Sequence, residues 1–97
     1  MALIDQVKKR LRIKHNSLDD DIQANIDAAK KEMIRNGILE AKANDETDPL
    51  IVQAVKTYCQ ANFTDNTSDM EKYFASWQYQ LDCIRKTEAY TKEAENV

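Results

Sequence analysis

The segment from Asp48 to Phe63 constrains the fold of this chain more than any other, because nine of its last fourteen residues are apolar. Its main polar residues recur at spacings of three and four, which places them in one narrow stripe along a helix: Gln53, Lys56, Thr57 and Gln60. Asp48 can cap the first turn, and Pro49 suits the first helical position, where no backbone donor is needed. The pattern predicts a central buried helix at roughly 49–62.

The remainder of the chain also favours helices over strands. A length of 97 residues suits one small domain. The single glycine and single proline leave few turns of the kind that hairpins need, and apolar residues recur at spacings of three and four. We therefore expect an all-α fold, a compact bundle of about four helices around the central one.

Composition also bears on where the protein resides. Hydrophobic residues make up 42% and charged residues 32% of the chain, which is too apolar for general disorder. No apolar run approaches the ~20 residues that a membrane helix requires. The N-terminus has no apolar stretch of signal-peptide length, so we expect a cytosolic protein.

The first predicted helix, Leu3 to Ile13, is amphipathic, and its polar side is basic. Its basic residues are Lys8, Lys9, Arg10 and Arg12. Residues 1–15 carry a charge of +4, whereas residues 16–97 carry −7. Three interpretations remain open: a solvated face, a nucleic-acid patch, or a surface that meets the acidic body of another copy.

A second helix is predicted to follow the break at Asn16. Ser17 and Asp20 have the spacing of a capping box, with aspartate in place of the usual glutamate or glutamine. Asp19, Asp20 and Asp21 would face the positive end of the helix dipole, which accounts for the triple aspartate without a metal ion. Gly37 should end the helix in a left-handed turn, so that Ile38 packs back on Met33. Residues 39–47 then form a polar connection.

The last strong helix is predicted to begin near Ser68, which has Glu71 at capping-box spacing. Its apolar residues form one regular stripe: Met70, Tyr73, Phe74, Trp77, Leu81 and Ile84. Beyond Arg85 the periodicity disappears, so we divide the chain into a helical domain, 1–85, and a polar C-terminal tail, 86–97. This tail, with Tyr90 as its one large apolar group, has little reason to be ordered in an isolated monomer. The predicted core comprises Leu11, Ile22, Ile26, Met33, Ile51, Val55, Tyr58, Phe74, Trp77 and Leu81.

No constellation of catalytic groups is apparent, so we expect no enzyme activity and no cofactor. The lone His15 lies in a predicted turn, where a solvated or capping role is the simpler interpretation. Cys59 and Cys83 lack the paired spacing of metal ligands, and Cys59 is expected to be a small core residue. We therefore predict no catalytic, cofactor-binding or metal site.

The order of these motifs closely resembles the small helical phage head-tail connector family, which comprises head completion or adaptor proteins. The resemblance extends over residues 3–85 and is carried by five segments: Val7–Ile13, Leu18–Ile22 with Ile26, Ala28 and Ala29, Asn36–Ile38, Asp48–Ile51 with Ala54, Val55 and Tyr58, and Ala61–Phe63. The polar segment 86–97 is longer than the brief tail expected of the family.

The resemblance implies a structural virion protein that assembles as a ring below the portal, extends the DNA channel and docks the next tail-proximal protein. Its implied partners are further copies of itself, the portal protein, the next connector or stopper protein, and double-stranded DNA passing through the channel without sequence-specific binding. It implies no reaction and no membrane. It places the protein in the host cytoplasm during assembly and then at the head-tail interface of the virion.

Within this reading, the basic residues Lys8, Lys9, Arg10 and Arg12 are the predicted contacts between copies or with the portal. Two other classes remain as alternatives. One is a monomeric helical module that binds a partner through its aromatic helix. The other, less favoured, is a nucleic-acid-binding protein that uses the basic segment from Lys8 to Lys14.

Overall fold

The computed structural model describes residues 2–92 of the 97-residue chain. Six helices occur in chain order: α1 (Leu3–Leu11), α2 (Asp19–Arg35), α3 (Glu40–Ala43), α4 (Pro49–Phe63), α5 (Thr67–Arg85) and α6 (Glu88–Thr91). The described residues contain no strand, so the predicted all-α class is confirmed. None of these helices is both long enough and apolar enough to cross a bilayer.

Helix α4 lies at the centre and packs against α1, α2 and α5. It begins where the sequence predicts, because the Leu50 backbone N–H donates to Asp48 Oδ1 at 2.9 Å and Pro49 occupies the first turn. Seven of its fifteen residues are buried. Its start therefore combines a side-chain cap with a proline that needs no donor.

The predicted polar stripe of α4 is only partly exposed. Thr57 is buried: its hydroxyl donates to the Gln53 carbonyl at 3.0 Å and accepts from Gln80 Nε2 on α5, also at 3.0 Å. Both contacts satisfy a hydroxyl that would be costly to bury without partners. Leu50, which the pattern assigned to the apolar surface, is 56% exposed.

Helix α1 ends two residues before the predicted boundary at Ile13. Arg12 adopts a left-handed conformation (φ 60°), with its N–H donating to the Lys9 carbonyl at 3.2 Å. The Ile13 N–H donates to the Lys8 carbonyl at 2.9 Å, which completes a Schellman ending. An arginine thus occupies the position that glycine usually takes.

The same ending closes α2, as predicted. Gly37 has φ 99°, its N–H donates to the Ile34 carbonyl, and the Ile38 N–H donates to the Met33 carbonyl, both at 3.0 Å. Ile38 and Met33 are both buried. The hydrophobic contact expected after a helix C-terminus therefore lies within the core.

Both predicted capping boxes are wrong. The cap of α2 is Leu18, which has no side-chain cap bond; its side chain packs against the core, so Ser17 lies one residue outside the helix. The cap of α5 is Asn66, whose Oδ1 accepts from the Asp69 N–H at 3.2 Å. Asn66 lies two residues before Ser68 and is a strong cap itself, so α5 starts earlier.

The connection at 39–47 and the described part of the C-terminal segment, 86–92, both contain a short helix and contact each other. The Leu39 N–H donates to the Tyr90 carbonyl at 2.8 Å, and the Tyr90 hydroxyl donates to Asp48 Oδ2 at 2.7 Å. This hydrogen bond, with a smaller effect of burial, raises the pKa of Tyr90 to about 12. Residues 86–92 thus fold back on the start of α4, contrary to the expectation of a tail without order. Residues 93–97 lie outside the described part.

The core lies between α4 and its neighbours. Most of the predicted core residues are buried: Ile22, Ile26, Met33, Ile51, Val55, Trp77 and Leu81. Leu11, Tyr58 and Phe74 are partly buried and pack against that core. The Tyr58 ring meets Trp77 edge-on at 4.9 Å between centroids and Phe74 at 6.3 Å. An aromatic cluster therefore joins α4 to α5.

Candidate interaction surfaces

The basic residues of α1 divide into two pairs with different surroundings. Lys8 is 12% exposed: its Nζ forms an ion pair with Asp19 Oδ1 at 2.7 Å and donates to Asn16 Oδ1 at 2.8 Å. The Arg10 guanidinium donates to Gln53 Oε1 at 3.1 Å and Gln60 Oε1 at 3.3 Å. Lys8 therefore fixes α1 to the start of α2, and Arg10 fixes it to α4.

Lys9 and Arg12 remain free for other contacts. Both side chains are exposed, and neither makes a hydrogen bond or ion pair with another residue in the range 2–92. The left-handed backbone of Arg12 places its side chain at the exposed end of α1. Of the four predicted contact residues, only Lys8 pairs with an acidic side chain of the described residues, and Lys9 and Arg12 have no side-chain partner there at all.

Lys56 adds to this basic surface from α4, where it is the one charged residue. An open groove of about 590 Å³ between α1 and α4 is lined by Gln6, Lys9, Arg10 and Lys56. In the sequence, Lys56 is distinguished only as part of the polar stripe of the central helix. The sequence signal for Lys56 is that it is the one charged residue in an otherwise neutral helix. Only the packing of α1 on α4 shows that Lys56 lies beside Lys9 and Arg10.

A second surface is apolar and uncharged. A groove of about 330 Å³ between α4 and α5 is lined by Leu50, Gln53, Tyr79, Gln80, Cys83, Ile84 and Thr87. None of these residues is charged, and Tyr79 is 72% exposed beside the half-exposed Leu50. Interface cores are depleted in charged residues and enriched in tyrosine, so this groove has the composition of a contact surface.

The groups that could support chemistry are few and separate. Burial raises the pKa of the Cys59 thiol to about 12, which disfavours its nucleophilic thiolate form. His15 Nδ1 accepts from the Ser17 N–H at 3.3 Å within the α1–α2 turn. Across residues 2–92, no group of three or more His, Cys, Asp or Glu side chains is positioned to hold a metal ion.

Comparison with protein families decides the classification. Residues 3–88 match the family described as Phage connector protein. The chain belongs to the phage connector protein family. No curated protein and no solved structure matches this connector protein.

The matched region includes every candidate surface of the connector protein. It runs from the first residue of α1 to the first residue of α6, so it covers the basic groove and the apolar groove alike. The resemblance recognised from the spaced motifs is therefore confirmed. Membership of this family implies that the chain is a phage connector protein that interacts with other virion proteins.

Proposed function

We propose that this chain is a structural head-tail connector that assembles as a ring below the portal, extends the DNA channel and docks the next tail-proximal protein. Membership of the phage connector protein family over residues 3–88 is the observation that carries the proposal. In this role the protein catalyses no reaction. It is present in the host cytoplasm during assembly and at the head-tail interface of the finished virion.

The distribution of charge supports assembly from many copies. The N-terminal fifteen residues carry +4 and the rest −7, so one region of a copy can attract a different region of the next. A contact between two unlike patches is heterologous, and repeated heterologous contacts close into a ring when the rotation between copies permits. Lys9 and Arg12 are the predicted α1 residues with charge available for such contacts.

The uncharged groove supports docking of another virion protein. We assign it to an apolar, uncharged segment of the next tail-proximal protein, because a charged segment would lose its hydration there without gaining a partner. Leu50 and Tyr79 supply the exposed apolar area. The basic groove between α1 and α4 then remains available for contacts with acidic groups.

The proposal is tested by mass measurement of the protein alone and mixed with purified portal rings of the same phage. We expect a saturable complex in which many copies bind one portal ring. Double substitution of Leu50 and Tyr79 to serine should leave portal binding intact and reduce binding of the next tail-proximal protein. A protein that stays monomeric and unbound in the presence of portal rings would contradict the proposal.

One alternative function has an observation in its favour. A groove of about 650 Å³ is lined by four cations, Lys8, Lys9, Arg12 and Lys14, together with Ile13 and one acidic residue, Asp5. A nucleic-acid binder would show affinity for DNA that falls steeply with salt. Titration of labelled duplex DNA at several salt concentrations separates this function from the connector role.

A further inference from the structure

The groove between α1 and α4 concentrates positive charge that the chain itself leaves unused. It is lined by three cations from two helices, Lys9, Arg10 and Lys56, together with Gln6. Arg10 is held in place by two glutamine oxygens, which leave its charge uncompensated. The side-chain amines of Lys9 and Lys56 make no hydrogen bond or ion pair with any residue in 2–92. A ligand for this groove must therefore be anionic.

The opposite side of α1 presents the complementary charge. Asp19, at the start of α2, is paired with Lys8, whereas Asp20 and Asp21 are exposed and have no ion pair within the described chain. Lys8 and Arg10 are two residues apart and so point to opposite sides of the helix. Lys8 reaches α2 and Arg10 reaches α4. The start of α2, where Asp20 and Asp21 are exposed, therefore lies on the Lys8 side of α1, and the basic groove lies on the Arg10 side.

We infer that the groove of one copy binds the Asp20 and Asp21 carboxylates of a second copy. This inference rests on the proposed function and names the interface between copies. The contact joins the α1–α4 groove of one copy to the start of α2 of the next, so it is heterologous and can be repeated from copy to copy until a ring closes. DNA phosphate is the competing anionic ligand for the groove, and salt-dependent titration distinguishes it.

The inference is tested by reversing charge on each side of the contact. One variant carries Lys9→Glu and Lys56→Glu, and a second carries Asp20→Lys and Asp21→Lys. Each variant alone sets like charges against each other, so its assembly on portal rings should fall about tenfold or more. Mixing the two variants restores opposite charges wherever a copy of one variant is next to a copy of the other, so assembly should recover in alternating order. One chain with all four substitutions should assemble by itself.

A matched control reverses an exposed pair on α5, Glu71→Lys with Lys72→Glu, and should assemble normally. Circular dichroism checks that every variant retains its helicity. In the unmodified assembly, a zero-length carbodiimide reagent should join Lys9 or Lys56 to Asp20 or Asp21 of another copy.

Three results would overturn the inference. If both double variants assemble normally, the groove is not the contact, although the connector role stands. If only the variant with Lys9→Glu and Lys56→Glu fails to assemble, and mixing gives no rescue, the groove binds another anion. Salt-dependent titration with DNA then tests whether that anion is DNA phosphate. If the unmodified protein forms neither an assembly nor the cross-link, the inference and the proposed function both fail.

Discussion

Trp77→Ala tests whether the aromatic contact between α4 and α5 holds the fold together. Trp77 is 3% exposed and meets the Tyr58 ring at 4.9 Å, and Tyr58 in turn meets Phe74 at 6.3 Å. Truncation to alanine removes the indole from a site that α4 and α5 enclose. The change leaves a cavity at the contact between α4 and α5.

We expect the free energy of unfolding to fall by ~3 to 5 kcal/mol, the usual cost of a buried aromatic truncated to alanine. About 0.5 to 1.5 kcal/mol of this belongs to the aromatic contact with Tyr58 beyond its buried area. A domain is typically stable by ~5 to 15 kcal/mol, so the variant should lose a large part of its stability. Its melting temperature should drop by roughly 12 °C or more, at ~4 to 8 °C per kcal/mol.

The measurement is thermal unfolding followed by circular dichroism, because Trp77 is the one tryptophan and its fluorescence is lost with it. Tyr79→Ala is the matched control: it lies two residues away on the same helix and is 72% exposed. The control should change stability by no more than about 0.5 kcal/mol. Equal melting temperatures for the two variants would refute the buried position of Trp77.

Three further substitutions test individual contacts. Asp48→Ala removes both the α4 cap and the acceptor of the Tyr90 hydroxyl, so it should lower the free energy of unfolding by at least about 1 kcal/mol in urea denaturation, with Asp48→Asn as the milder control; an unchanged midpoint would place the start of α4 elsewhere. Arg12→Gly should raise the free energy of unfolding by about 1 kcal/mol, because glycine adopts the left-handed backbone conformation without strain. Arg12→Ala should not raise it, because alanine meets the same steric strain in that conformation. The pKa of Tyr90 is raised from its ordinary value of ~10 to about 12 in the folded chain. The neutral phenol therefore stabilises the fold fully below pH ~10, and this contribution to stability is lost as the pH rises through about 12. Tyr90→Phe should therefore lose stability at neutral pH and show a flatter decline between these pH values, and a decline identical to that of the unmodified protein would contradict the contact.

Features set by local chemistry could be predicted from the sequence. Asp48 with Pro49 marks the start of α4, because a cap and a proline act within one turn. Gly37 marks the end of α2, because a left-handed residue favours glycine. The buried faces also follow from spacing, since Ile22, Ile26 and Met33 recur at helical intervals.

Features set by tertiary packing could not be predicted from the sequence. The cap of α2 falls at Leu18 because its side chain packs on the core, and the end of α1 falls at Arg12 without a glycine to mark it. The segments that contain the short helices α3 and α6 meet through the hydrogen bond between Leu39 and Tyr90, which are far apart in the chain. No local pattern encodes that pairing.

The basic surface formed by α1 and α4 was likewise predicted only in part from the sequence. The sequence identifies the basic residues of α1 as one set, but the fold uses Lys8 and Arg10 within the chain and leaves Lys9 and Arg12 free. Lys56 joins the basic groove only because α1 packs on α4. Composition therefore predicts that a charged surface exists, and packing decides which cations remain on it.

Electron microscopy of this protein mixed with its portal ring tests the connector role most directly. Our account predicts an additional ring of density below the portal, with each copy placing the acidic flank of α2 against the α1–α4 groove of its neighbour and the DNA channel continuing through the centre. Portal rings that remain unchanged at saturating protein concentration, or a single copy bound off the channel axis, would contradict it.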